Sequence, residues 1–234
     1  MVAAPTDAVP EAGGTPRSSG SSRPPRVQLG IGTIADVVFG LSLEIGSIAL
    51  VAKLPQTASD LSRDIVEFGF TFVVIFMVWF AYRRAAVVFP HETQRTLIVT
   101  VAILFCVAIE PFLFYVSVAG TGTSVGGPAS MALALDVGAM MLLLSAFYFL
   151  LHAEDRKVSQ RQIHPGILRQ LWVGSVGRIV VGTIFLVSAV PLFDTPGPLG
   201  TTVREDIWIL ALGLFFAVQY GVPLMTGTGT SVRS

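Results

Sequence analysis

Six long apolar runs, separated by short polar links, set the pattern of this chain. They cover about residues 28–52, 65–89, 97–118, 129–151, 170–192 and 207–225. Each is about 19–25 residues long, enough for a helix to cross a hydrocarbon core of roughly 30 Å. A helix satisfies its backbone polar groups within one segment, which lipid demands. The pattern therefore predicts an all-α integral membrane protein with six transmembrane helices. Residues 1–27, rich in Pro, Gly, Ser and Thr, read as a disordered tail. Residues 28–225 form one membrane domain, residues 226–234 a short tail, and the links leave no room for a second folded unit.

The first run is the least uniform. On a helix advancing 100° per residue, Leu41, Ile45 and Ile48 share one narrow stripe at spacings i, i+4 and i+7. Asp36, Gly40 and Ser47 lie on roughly the opposite side, where small residues favour close helix packing. Glu44 is about 60° round from Leu41. The third run contains Glu110-Pro111-Phe112, where the proline removes a backbone donor. Gly120 to Pro128 is glycine-rich and uncharged. It lacks both the Thr-Val-Gly-Tyr-Gly of a potassium filter and the lysine of a phosphate-binding loop, and so reads as a connector.

Composition agrees with the pattern: 53% of the chain is hydrophobic and 13% charged, with a mean hydropathy of +0.73. Net charge is zero, which gives no sign of a nucleic-acid partner. The distribution of charge matters more than its sum. Arg17, Arg23, Arg26, Arg83, Arg84, Arg95, Arg156, Lys157, Arg161, Arg169 and Arg233 fall in the two tails and the even links; only Lys53, Arg63 and Arg204 fall in the odd links. Such a bias predicts that both termini are cytoplasmic.

Catalytic chemistry finds little support. His91-Glu92 lacks the second histidine of a zinc-protease helix, and no serine sits in a nucleophile elbow. His152 and His164 read as solvated side chains in a basic loop. Cys106, the single cysteine, reads as a small buried hydrophobe. No enzyme, metal or cofactor is expected. What remains is a set of ionisable residues in or at the edges of the runs: Asp36, Glu44, Glu67, Glu110, Asp136 and Arg178. Glu67 reads as interfacial. The others point to pairing or to a wet path, because a lone charge at membrane depth is costly. Asp36 and Arg178 lie at a similar depth, roughly 12 Å from the basic side, and a structural ion pair between them is one expectation.

Ile34-Ala35-Asp36-Val37-Val38-Phe39-Gly40-Leu41, opening the first of six runs, resembles the Phe-Ser-Asp segment of the transmembrane protein 175 family. That family comprises the lysosomal potassium channel and its prokaryotic homologues. Val78-Trp79-Phe80-Ala81-Tyr82-Arg83 in the second run and Glu110-Pro111-Phe112 in the third, similar to a family Leu-Pro-Phe, extend the resemblance. It implies a helical channel without a filter loop, in which four subunits surround a pore lined by their first helices. By position Leu41, Ile45 and Ile48 match the constricting residues, a coincidence with the stripe found above. The motif is degenerate: the family arginine is Gly30, the serine is Ala35, the following small residue is Val37, and Glu44 replaces an uncharged residue. The resemblance allows Arg178 to supply the missing positive charge to Asp36.

The functional expectation is a homotetrameric, potassium-permeable channel of the plasma membrane, potassium ions and the lipid bilayer being its partners. The alternative is a proton-coupled small-solute transporter working through Glu44, Glu110 and Asp136, or a non-conducting membrane scaffold.

Overall fold

A computed structural model describes residues 31–52, 57–89, 93–120, 123–158, 165–198 and 202–217. Expectations for the two tails, Gly30, His91, Glu92 and His164, and for the side chain of Glu67, lie outside the described residues. Six α-helices follow one another: α1 (Ile31–Ala52), α2 (Ala58–Val88), α3 (Gln94–Ala119), α4 (Gly126–Val158), α5 (Pro165–Ser188) and α6 (Val203–Phe216). Among the described residues one 3-10 turn, Pro191–Phe193, lies in the last link. Four helices, α2 to α5, are long and apolar enough among the described residues to cross a membrane. The chain is an all-helical integral membrane protein.

Several boundaries move outward from the apolar runs. α2 begins a full two turns before its run, and α4 continues past its run to Val158, carrying Arg156 and Lys157 in its last turn. Charged residues there need no apolar surroundings, since a helix emerging from lipid meets water. Cations at a helix C-terminus also suit its dipole. α3 runs unbroken through Pro111. The connector before α4 is short and closed by Thr123, whose Oγ1 donates to the Gly120 carbonyl at 2.6 Å and accepts from the Val125 amide at 3.3 Å. At Gly120 an added Cβ would stand 2.6 Å from the Val116 carbonyl oxygen, so only glycine fits that turn.

α4 is the most buried of the spanning helices. α3 and α5 pack against it most extensively, α2 less so; α1 packs on α2 and α3, and α6 on α5. Small residues bring α4 and α5 close. A Cβ added to Gly138 would meet the Gly182 carbonyl oxygen at 3.0 Å, and the reverse substitution meets the Gly138 carbonyl at the same distance. Ser145 on α4 then reaches the Ser175 carbonyl of α5 at 3.1 Å. Close backbone approach of this kind drives helix association where the surrounding lipid is as apolar as the side chains.

The end of the bundle that is poor in basic residues is held by one cation. Arg204, in the first turn of α6, is fully buried. Its Nε donates to the Ser188 carbonyl at 2.7 Å, Nη1 to Ser130 Oγ at 2.9 Å and Nη2 to the Val190 carbonyl at 3.3 Å. Nη1 also lies 2.6 Å from Asp194 Oδ1. Trp208, one turn on, donates to Ser188 Oγ at 2.8 Å and stacks on Phe185. Thr202 and Glu205 form a reciprocal capping box that starts the helix. One guanidinium thus ties α4, the end of α5, the link and α6 together.

Truncating Arg204 leaves the Asp194 charge and several buried acceptors without a donor. Arg204→Gln should therefore lower unfolding stability by about 3–5 kcal/mol, read from denaturant or thermal unfolding in detergent. A loss below about 1 kcal/mol would show that the link and α6 do not depend on it.

Candidate functional site

α1 has two sharply different faces. Ala35, Phe39, Ser42 and Gly46 are buried against the bundle. Ser42 returns its hydroxyl to the Val38 carbonyl at 2.9 Å, which removes its polarity from the packed face. On the other side Ile34, Val37, Leu41, Ile45 and Ile48 are each about half exposed. The stripe expected from Leu41, Ile45 and Ile48 is therefore part of an apolar face that no described residue of another helix covers. The packing face is not the expected one: Gly40 and Ser47 are exposed, and Asp36 lies between the two faces, turned to α2. One large side chain, Phe39, set among the small residues Ala35, Ser42 and Gly46, makes the contact.

Asp36 sets this rotation. Trp79 on α2 donates Nε1 to Asp36 Oδ1 at 2.9 Å, and Arg83, one turn further along the same face of α2, places Nη1 3.4 Å from Asp36 Oδ2. Arg83 is thus the cation that stands beside Asp36 among the described residues. The expected Asp36–Arg178 pair does not form. Arg178 sits on α5, which packs on α4 and α6, whereas α1 packs on α2 and α3; equal depth in the membrane did not make the two residues neighbours. Nor does Arg178 reach out to the interface. It is 6% exposed and donates Nη2 to Ser175 Oγ at 2.8 Å on its own helix.

The acidic residues divide into two groups. Glu44 is exposed on the free face of α1, among Val37, Leu41 and Ile48, and its carboxylate has no partner among the described residues. Glu110 is fully buried on α3. Thr71 of α2 and Asp136 of α4 are its polar neighbours, yet neither Glu110 oxygen nor Thr71 Oγ1 reaches hydrogen-bonding geometry. Cys106, one turn earlier on α3, is buried and lies beside Asp136. Glu110 and Asp136 are thus brought together inside the bundle while Glu44 faces outward, so a carrier site made of all three carboxylates is not assembled. His152 also departs from expectation: it is half-buried, with its ring stacked on Tyr148 at 6.0 Å and Nδ1 buried without a partner. The extension of α4 past its apolar run places it there.

No protein-family model and no curated protein matches the chain. Among solved structures it is similar to a crystal structure of a variant of the potassium channel MtTMEM175 in complex with a nanobody–MBP fusion protein. The likeness covers 86% of this chain and 94% of that one at 15% identity, with a TM-score of 0.53. At that identity the likeness is one of fold. The resemblance carried by Ile34 to Leu41 accordingly extends to the arrangement of the helices.

Both Asp36 and Arg83 are partly exposed, so a double-mutant cycle of Asp36→Asn with Arg83→Gln should give a coupling below about 1 kcal/mol. Asp36→Leu strands the Trp79 donor as well and should cost about 1–3 kcal/mol. Asp36→Asn with Arg178→Gln should be additive within about 0.5 kcal/mol; unfolding in detergent reads all three. Glu110 has no described partner to lose. Glu110→Gln should leave stability unchanged or raise it by about 1 kcal/mol, and a large loss would reveal a hydrogen bond made by the carboxylate.

Proposed function

We propose that the protein is a cation channel, permeable to potassium, in which four copies of α1 surround an axial pore constricted by Leu41, Ile45 and Ile48. The observation that supports this most is Glu44. It lies near the middle of a 22-residue helix, exposed, on the same face as the apolar stripe. A carboxylate turned to the bilayer centre is costly by any scale, whereas one turned to a water-filled axis is not. The free face of α1 is therefore better suited to an axis between subunits than to lipid. The fold shared with a potassium channel supports the same reading.

In this arrangement apolar rings block ions by excluding water, and hydration of the narrow segment opens it. The Glu44 carboxylates form an acidic ring beside the constriction, and such rings draw cations and repel anions. The membrane is the plasma membrane, six helices span it, and the bias of basic residues puts both termini in the cytoplasm.

Reconstitution into liposomes with a potassium gradient tests the proposal. Verified tetramers that give no flux above empty vesicles would overturn it. Ile45→Asn places a polar group in the narrowest part of the path and should raise resting flux about tenfold or more. Glu44→Gln should leave tetramers and flux in place but reduce the preference for potassium over chloride, read from the reversal potential. An unchanged reversal potential would remove Glu44 from the ion path.

A further inference from the structure

A narrow cleft, lined by no residue of α1, opens between α2 and α5 at the end of the bundle where basic residues gather. Leu144 of α4 and Phe215 of α6 close its inner side. Its mouth is formed by Arg84, half-buried near the end of α2, whose Nη2 donates to Gln170 Oε1 on α5. Its base is Arg178 on α5; its Cα lies about 12 Å below that of Gln170 along the helix, and its guanidinium reaches back toward the mouth as far as Ser175, one turn nearer. Between them the walls are apolar, with Phe80 and Leu171 among them.

Arg178 is the unusual member. Its guanidinium is more than nine-tenths buried, yet no carboxylate forms an ion pair with it among the described residues. Only Nη2 has a described partner, Ser175 Oγ, and Nε is buried with none. The described titratable groups within electrostatic reach are the Tyr148 phenol and a second cation, Arg84. Arg204 shows the contrast within the same chain, where a fully buried guanidinium is given a carboxylate, a hydroxyl and two carbonyls. Removing one charge from water without a counter-ion is strongly unfavourable, and a second cation beside it makes it more so. The missing element is an anion.

We propose that this cleft is an anion-binding site for a phosphate group, with Arg84 and Arg178 as its two donors. Guanidinium forks suit a tetrahedral oxyanion, each offering parallel N–H groups to its oxygens. The enclosed space is about 20 Å³, room for about one water-sized atom. One phosphate oxygen therefore enters toward Arg178, while the body of the group stays at the mouth beside Arg84 and displaces Gln170 from it. Two sources offer this chemistry, the headgroup of an anionic phospholipid and free inorganic phosphate. A basic pocket between membrane helices with apolar walls suits the first. The proposal does not depend on conduction.

The full chain in nanodiscs tests it through thermal unfolding and native mass spectrometry. Neutral phosphatidylcholine discs are compared with discs containing phosphatidylglycerol, and with neutral discs titrated with inorganic phosphate, all in gluconate buffer at fixed ionic strength. A ligand that binds only the folded state raises its melting temperature, here by about 3 °C for a chain of this size at saturation. A rise with phosphatidylglycerol, with the lipid retained in the mass spectrum, identifies the lipid as the source; a rise with inorganic phosphate identifies the free anion. Arg84→Gln and Arg178→Lys should each abolish the rise, while Arg156→Gln, outside the cleft at the same end, should keep it. Arg84 is only half-buried, so its variant carries the test should Arg178→Lys not fold. No rise with either probe, or a rise that Arg84→Gln leaves intact, would overturn the site.

Discussion

The contact of Asp36 with Trp79 and Arg83 decides which way α1 faces. A helix in lipid gains little from turning one apolar side rather than another toward its neighbours, because hydrocarbon competes on equal terms. Polar contacts break that degeneracy. With Oδ1 held by an indole and Oδ2 near a guanidinium on the same face of α2, Ala35, Phe39, Ser42 and Gly46 are committed to the bundle. The opposite arc, with Leu41, Ile45 and Ile48, is left free. The candidate site is thus specified by a contact that is not part of it.

The two buried arginines show how differently a membrane bundle can accommodate the same group. Arg204 has its acceptors drawn from the end of α5, the following link and α4, so its burial doubles as a knot between segments distant in sequence. Arg178 has apolar walls, one hydroxyl of its own helix and another cation nearby. The first is complete within one chain. The second is not, and no residue of α1 lines its cleft, so the two candidate sites of the protein share no residue.

Much of the architecture was legible because its causes are local. Length and hydropathy mark the helices, and 100° periodicity alone collects Leu41, Ile45 and Ile48 on the face that the fold leaves open. What resisted reading depends on which helices are neighbours. Asp36 and Arg178 stand at matching depths, but helices α2 and α3 lie on one and α4 and α6 on the other. Arg83 stands in the sequence as the last residue of the segment Val78 to Arg83 and as one more basic residue at a helix end, with nothing to pair it with Asp36. Arg204 looked like a link residue, since nothing in Thr-Val-Arg-Glu-Asp announces that a chain reversal will enclose the guanidinium. Glu44, Glu110 and Asp136 looked alike in sequence, being acids in apolar surroundings; packing alone sorts one outward and two inward.

The width of the free face adds a constraint on any assembly. Placed on a helical wheel, the exposed residues of α1 run from Ser47 and Gly40 through Glu44 and Leu41 to Ile45, an arc of about 160°. A helix lining a fourfold axis turns only about a quarter of its circumference, roughly 90°, to that axis; the rest of such an arc must meet a neighbouring subunit or lipid. Gly40 and Ser47 sit together at one edge of the arc, and an added Cβ on Gly40 meets nothing within 4 Å in the isolated chain. Small residues at the edge of an otherwise bulky face suit close approach of another helix. Under the proposed fourfold arrangement, the packing role that Gly40 and Ser47 lack within the chain is met between chains, and the same contact turns Leu41, Ile45 and Glu44 toward the axis.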